Sequence, residues 1–287
     1  MRTRESIAAA AQLACLLEAS APKPGNVSPG ITFRDTRYED FLASAAAIAP
    51  AFLDAGSQPL GDTIRRAIED THRWTSANTN LGIVLLLAPL AHAAHLASPE
   101  SLRERVRIVL ASTTVGDAAS AYAAIRLAHA GGLGEVAAED VAASPTVTLT
   151  KAMELAADRD DIAREYATAF ARTFSVAVPA LESARTTGLE WPDAIVECYL
   201  ALLADSPDTL IARKLGPIAA NQVRDHAIIV RAAGGIRTTA GRQAVAAFDL
   251  ELRDSRNSRN PGTSADITAA AVFVVLLNGG WHGGLEQ

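Results

Sequence analysis

The sequence predicts an all-α protein, read as one large multi-helix domain of about a dozen helices over residues 1–287. Apolar residues recur at helical spacing along most of the chain. Strand signals are nearly absent, since 146–149 alternates weakly and is too short to found a sheet. Hydrophobic residues make up 49% of the chain but aromatics only 5%, so the core must be Ala, Leu, Val and Ile. Such small side chains let helices approach closely.

The periodicity predicts helices over 4–19, 38–54, 60–74, 80–96, 100–112, 116–129, 147–157, 160–187, 191–204, 208–215, 217–232, 239–254 and 264–277. Ser98-Pro99 and Ser206-Pro207 each read as a serine N-cap with proline at the first helical position. Pro179 predicts a kink or break inside 160–187. Thr263 and Asp266 have the spacing of a capping box, with Asp in place of the usual Glu. The turn clusters at 20–36, 130–146 and 254–263 separate helical blocks, and no linker or fixed-period repeat is evident.

A net charge of −6 and a pI near 5.5 argue against a broad nucleic-acid surface. The two cysteines, Cys15 and Cys198, sit in apolar helical contexts without metal-ligand spacing. The apolar run 81–96 is interrupted by Pro89, His92 and His95 and is too short for a membrane span. The start runs straight into an amphipathic helix rather than a signal peptide. These features predict a cytoplasmic protein with no nucleic-acid or membrane partner, with a homodimer left open.

Three polar tips invite an anionic ligand. The first is Pro22-Lys23-Pro24-Gly25-Asn26, a stiff loop carrying one of only three lysines among 26 basic residues. The second is Asn78-Thr79-Asn80-Leu81-Gly82, where one residue caps the following helix and a second Asn is spare for a ligand. The third is 259–266, where Asn260, Gly262, Thr263 and Ser264 surround a helix start with free N–H groups and a positive dipole end. Together they suggest one shared site. Glu135, on the Gly131-Gly132-Leu133-Gly134 turn, suits Mg²⁺ binding or proton transfer, or else ends a helix beside a solvated acidic face. Asp117, beside Gly116, is a helix-dipole partner or a metal ligand. Asp208 with Arg213 and Lys214 fits a Mg²⁺–polyphosphate, and equally plain dipole complementarity. His92 and His95 lack the i,i+4 spacing and the adjacent Glu of zinc proteases.

Taken in order, Pro22-Lys23-Pro24-Gly25, the Asn78-Thr79 helix start, Gly131–Glu135, Asp208-Thr209 and Pro261-Gly262-Thr263-Ser264-Ala265-Asp266 resemble the triphosphoribosyl-dephospho-CoA synthase family. The similarity runs from about residue 10 to residue 277. It implies an all-helical enzyme that moves the triphosphoribosyl unit of ATP onto a ribose hydroxyl of 3′-dephospho-CoA and releases adenine. ATP and Mg²⁺ would be its cofactors. On this reading Asp117, Glu135 and Asp208 serve as metal ligands or base. Lys23, Arg213, Lys214 and the 260–264 turn bind phosphate, Asn78 and Asn80 position ribose or base, and Gly25, Asn26 and Thr79 complete the ATP-binding set.

The chain departs from the family where Asn80 and Leu81 replace His and Lys, and where Leu133 replaces Arg. The Asn-Thr-Asn-Leu-Gly form resembles a divergent branch associated with tetrahydromethanopterin-linked metabolism, whose acceptor would be a pterin-type precursor. Three readings follow: the triphosphoribosyl transferase, an ATP-dependent phosphoryl or ribosyl transferase on such a precursor, and a non-catalytic helical nucleotide-binding protein.

Overall fold

The computed structural model describes residues 2–129 and 139–281. Within them the chain is helical, with no strand and a single isolated bridge between Ser28 and Ile31. It divides into two compact units, Met1–Leu16 with Glu39–Ala171, and Leu17–Tyr38 with Arg172–Gln287. Helix α1 (Arg4–Ser20) contributes to both.

The first unit continues with α2 (Tyr38–Ala47), α3 (Ala49–Leu53), α4 (Leu60–His72), α5 (Leu81–His95), α6 (Leu102–Ala111), α7 (Val115–Leu127), α8 (Leu149–Ala156) and α9 (Asp161–Ala167). Helix α5 is apolar nearly all round, and Ile83, Val84, Leu86, Leu87 and Leu90 are buried. Such a helix belongs in the middle of a core. Helices α4 and α7 meet at Gly61, where an added Cβ would stand 2.4 Å from the Asp117 carbonyl oxygen. Only glycine permits this approach.

Local stereochemistry corrects several expected boundaries. The 38–54 helix is two, because Pro50 opens α3. Helix α6 is capped by Ser101, whose hydroxyl accepts from Glu104 N, rather than by Ser98. The 160–187 helix breaks well before Pro179, where Ala169 and Phe170 take positive φ. A π-helical turn over Thr173–Ala177 then leads into α10 (Val178–Thr186).

The second unit holds α10 with α11 (Trp191–Asp205), α12 (Thr209–Leu215), α13 (Pro217–Ala232), α14 (Thr239–Leu252) and α15 (Gly262–Leu277). Its core joins Val196, Tyr199 and Leu203 of α11 to Ile211, Val223, Val230, Phe248 and Ala265. Among the described residues no single helix is long and apolar enough to cross a membrane.

His92 of α5 gives the first unit a pH-sensitive point. Its Nε2 lies 2.9 Å from Thr63 Oγ1, which accepts from Gln58 Nε2 at 3.0 Å. Burial pulls the imidazole down to about 4, His95 adds to this and Asp117 opposes it. The folded state therefore holds His92 neutral while the unfolded chain protonates near 6.5. The stability this provides is complete above pH 6.5 and lost as pH falls towards 4, about 2–3 kcal/mol over that window. Urea midpoints should fall on acidification, and the fall should shrink in His92→Asn. An unchanged slope in the variant would remove His92 as the cause.

Candidate active site

The second unit brings together three of the segments singled out in the sequence. Asp208 is buried and caps α12, its Oδ1 accepting from Leu210 N (2.9 Å) and Ile211 N (3.2 Å). Its Oδ2 reaches across to α15 and accepts from Ser264 N and Ser264 Oγ, each at 2.8 Å. The expected capping box at Thr263 and Asp266 is not formed. Helix α15 begins at Gly262, so Thr263 is already inside it, and the Ser264 amide in its first turn is served by the carboxylate that caps α12. Likewise the N-cap at 206–208 is Asp208, not Ser206. Burial raises the Asp208 carboxyl above its usual value while the four donors act the other way. Thr209 Oγ1 donates to Thr263 Oγ1 at 3.3 Å and completes the seam.

The 22–26 loop docks beside this seam. Gly25 has φ +73°, and a Cβ there would stand 2.9 Å from Leu252 Cβ, so glycine is required twice over. Its N–H donates to Asp249 Oδ1 (2.8 Å). Asn260 Nδ2 donates to Gly25 O and Asn26 Oδ1, both at 2.9 Å, and Arg253 donates to Asn26 O. Asn26 Nδ2 reaches Tyr199 Oη at 2.9 Å, and that hydroxyl donates to Pro24 O. Burial, then the Asp208 charge, holds the Tyr199 phenol well above its ordinary pKa, so it remains a donor.

Lys23 is fully buried in this array. Its ammonium pairs with Glu18 Oε1 at 2.9 Å and donates to the Glu18 and Ala21 carbonyls, which occupies all three of its protons. Sequence reasoning missed Glu18, Tyr199, Asp249 and Arg253. The signals available were an acid five residues before a rare lysine and an i,i+4 Asp–Arg pair at the C-terminal end of α14. Arg213 and Lys214 lie in the last turn of α12. Partial burial lowers the Lys214 ammonium, while Asp208, Asp35 and Asp254 pull it back up.

Asn78, Thr79, Asn80 and Asp117 belong to the first unit. Asn78 is exposed, and its Oδ1 accepts from Leu81 N at 3.3 Å. Asn80 occupies the N-cap position of α5 but turns its Nδ2 to Thr71 Oγ1 (3.0 Å). The Thr79 hydroxyl meets Ser44 Oγ at 2.5 Å. Asp117 forms a capping box with Thr114 and also accepts from Gly61 N at 2.7 Å. Glu135 and its glycine turn lie outside the described residues.

Mg²⁺ fits these carboxylates poorly. All four lone-pair positions of Asp208 and three of those of Asp117 face protein donors. Among the described residues no three His, Cys, Asp or Glu side chains stand close enough to hold a metal ion.

The model of the CitG family, described as ATP:dephospho-CoA triphosphoribosyl transferase, matches residues 4–284. The chain belongs to this family. It is 33% identical over 119 residues to the "Probable 2-(5''-triphosphoribosyl)-3'-dephosphocoenzyme-A synthase" of Pseudomonas aeruginosa, covering 40% of each protein. To the 2-(5''-triphosphoribosyl)-3'-dephosphocoenzyme-A synthase of Klebsiella pneumoniae it is 31% identical over 104 residues, 36% of each. The chain thus aligns with about two fifths of the length of these curated relatives. A crystal structure from Archaeoglobus fulgidus, described as a candidate triphosphoribosyl-dephospho-CoA synthase, superposes with a TM-score of 0.64 at 29% identity, covering 83% of this chain and 99% of that one. The all-helical architecture expected from the resemblance is therefore the family's.

Proposed function

We propose that this CitG-family chain transfers the triphosphoribosyl unit of ATP to a ribose hydroxyl of 3′-dephospho-CoA. The match along residues 4–284 carries this reading. In the reaction the bond from C1′ to adenine breaks, a C1′–O bond forms, the acceptor hydroxyl loses its proton to a base, and adenine leaves with a proton. Such a displacement develops oxocarbenium character at C1′.

We divide the residues between the frame and the chemistry. Asp208, Lys23, Gly25, Thr263 and Ser264 build the array that fixes the 22–26 loop and the α15 start. Lys214 and Arg213 serve the triphosphate from that frame, to which Asn26 and Asn260 also belong, since both protons of each side-chain amide go to protein acceptors. Asn78 and Asn80 serve ribose or base. Asp117 holds the α7 start against α4. To Glu135, one of the three carboxylates singled out in the sequence, we assign the proton transfer. Mg²⁺ enters as part of the substrate, on the phosphates of ATP, which suits a metal that keeps its waters and few protein ligands. We place the reaction in the cytoplasm, where ATP is supplied.

Incubation with ATP and 3′-dephospho-CoA, followed by chromatography, should yield free adenine. ADP or AMP in its place would mean phosphoryl or nucleotidyl transfer, and tight binding without any product would mean a binding protein. A pterin-type precursor belongs among the acceptors tried, because Asn80 and Leu81 replace charged or titratable groups.

A further inference from the structure

An open cleft of about 360 Å³ lies in the first unit. It is lined by Arg66 and Asp70 of α4, by Arg73 and Trp74 just after that helix, and by Ala46 of α2 and Pro50 of α3. Trp74 is 72% exposed, in a chain with three tryptophans and an aliphatic core. An indole left in water costs hydrophobic free energy that burial would recover, so this one is available to a flat partner. Beside it Asp70 accepts from Arg73 at 2.9 Å, and Arg66 bridges Asp54 (2.7 Å) and Asp70 (4.0 Å). The carboxylate can take an amine proton and the guanidinium edges can donate to oxygen or phosphate.

The cleft is tied to the Asn-Thr-Asn segment at two points. Asn80 Nδ2 bonds Thr71, the neighbour of Asp70. Thr79 bonds Ser44 on α2, the helix that carries Ala46. The α2 and α4 sides of the lining are therefore each bonded to a residue of the Asn-Thr-Asn segment.

We propose that this cleft binds the adenine ring of a nucleotide, stacked on Trp74 with its amine directed to Asp70. The proposal rests on the transferase reading in one respect: both substrates proposed there, ATP and 3′-dephospho-CoA, carry adenine.

Binding can be measured without turnover, by calorimetry with AMP, ATP, 3′-dephospho-CoA and base-free tripolyphosphate. Trp74→Ala removes the platform, and Ala46→Phe narrows the cleft from α2. Both positions are exposed, so folding is preserved. Each variant should weaken AMP, and whichever of ATP and dephospho-CoA uses the cleft, by roughly 5- to 100-fold, the range expected for one lost base–aromatic stack. Tripolyphosphate binding should not change. Unchanged AMP, ATP and dephospho-CoA affinities in both variants would overturn the assignment, as would a loss of self-association by light scattering with nucleotide binding intact. Adenine release by the wild type separates this from the parent reading. Release with unaltered affinities in both variants sinks the cleft alone. No release with Trp74-dependent AMP binding sinks the reaction and leaves the cleft.

Discussion

Replacing Asp208 with alanine should destabilise the protein by about 3–5 kcal/mol, the cost of stripping a buried, fully bonded carboxylate from its donors. The change leaves Leu210 N, Ile211 N and Ser264 N without acceptors and releases two positive helix ends that now face one negative charge. Asp208→Asn should not rescue this. Its oxygen can serve α12, but its amide would confront Ser264 N–H, donor against donor. Ser264→Ala provides the scale, because it removes only the hydroxyl bond and should cost about 1 kcal/mol. Urea unfolding of the three variants gives the order. If Asp208→Ala cost no more than Ser264→Ala, the carboxylate would not be the keystone of the α12–α15 seam.

Lys23→Met should cost a similar amount, about 3–5 kcal/mol, because Glu18 is left as a buried charge without its counter-ion. Pairing it with Glu18→Gln removes both charges and should restore most of the stability. The cycle also decides what the lysine is for. With its three protons on Glu18 and Ala21, Lys23 has none left for a phosphate, so the double variant should keep the wild-type KM for ATP. A double variant that is stable but shows a KM raised tenfold or more would put the ammonium on the substrate instead.

The helices were readable from the sequence because their signal is local. Ala- and Leu-rich periodicity, Pro192, Pro217 and the Thr148 and Thr238 caps act within one or two turns. The candidate segments at 22–26, 206–214 and 259–266 were visible for the same reason, as Pro/Gly-bent polar interruptions. Their chemistry was not. Whether a helix start is open to a ligand depends on what reaches it through space, and the residue that fills the α15 start lies 56 positions away. The Lys23 pair illustrates the same limit, since a rare lysine in a stiff loop looks like a ligand until Glu18 is seen to take it. Asn80 differs again: it stands where a cap should, yet gives its side chain to Thr71 because Asn78 already serves the α5 start.

The interleaving of the two units along the chain sets an order of assembly. The 22–26 loop leaves the ribosome early, but its partners are Tyr199, Asp249 and Asn260, which lie 173, 224 and 235 residues later. The Glu39–Ala171 segment is synthesised in between and can begin to pack while that loop still waits. In N-to-C synthesis the array around the 22–26 loop is therefore the last part of the molecule to close, and a chain stopped short of α15 would carry every helix of the first unit with the Asp208 seam unmade.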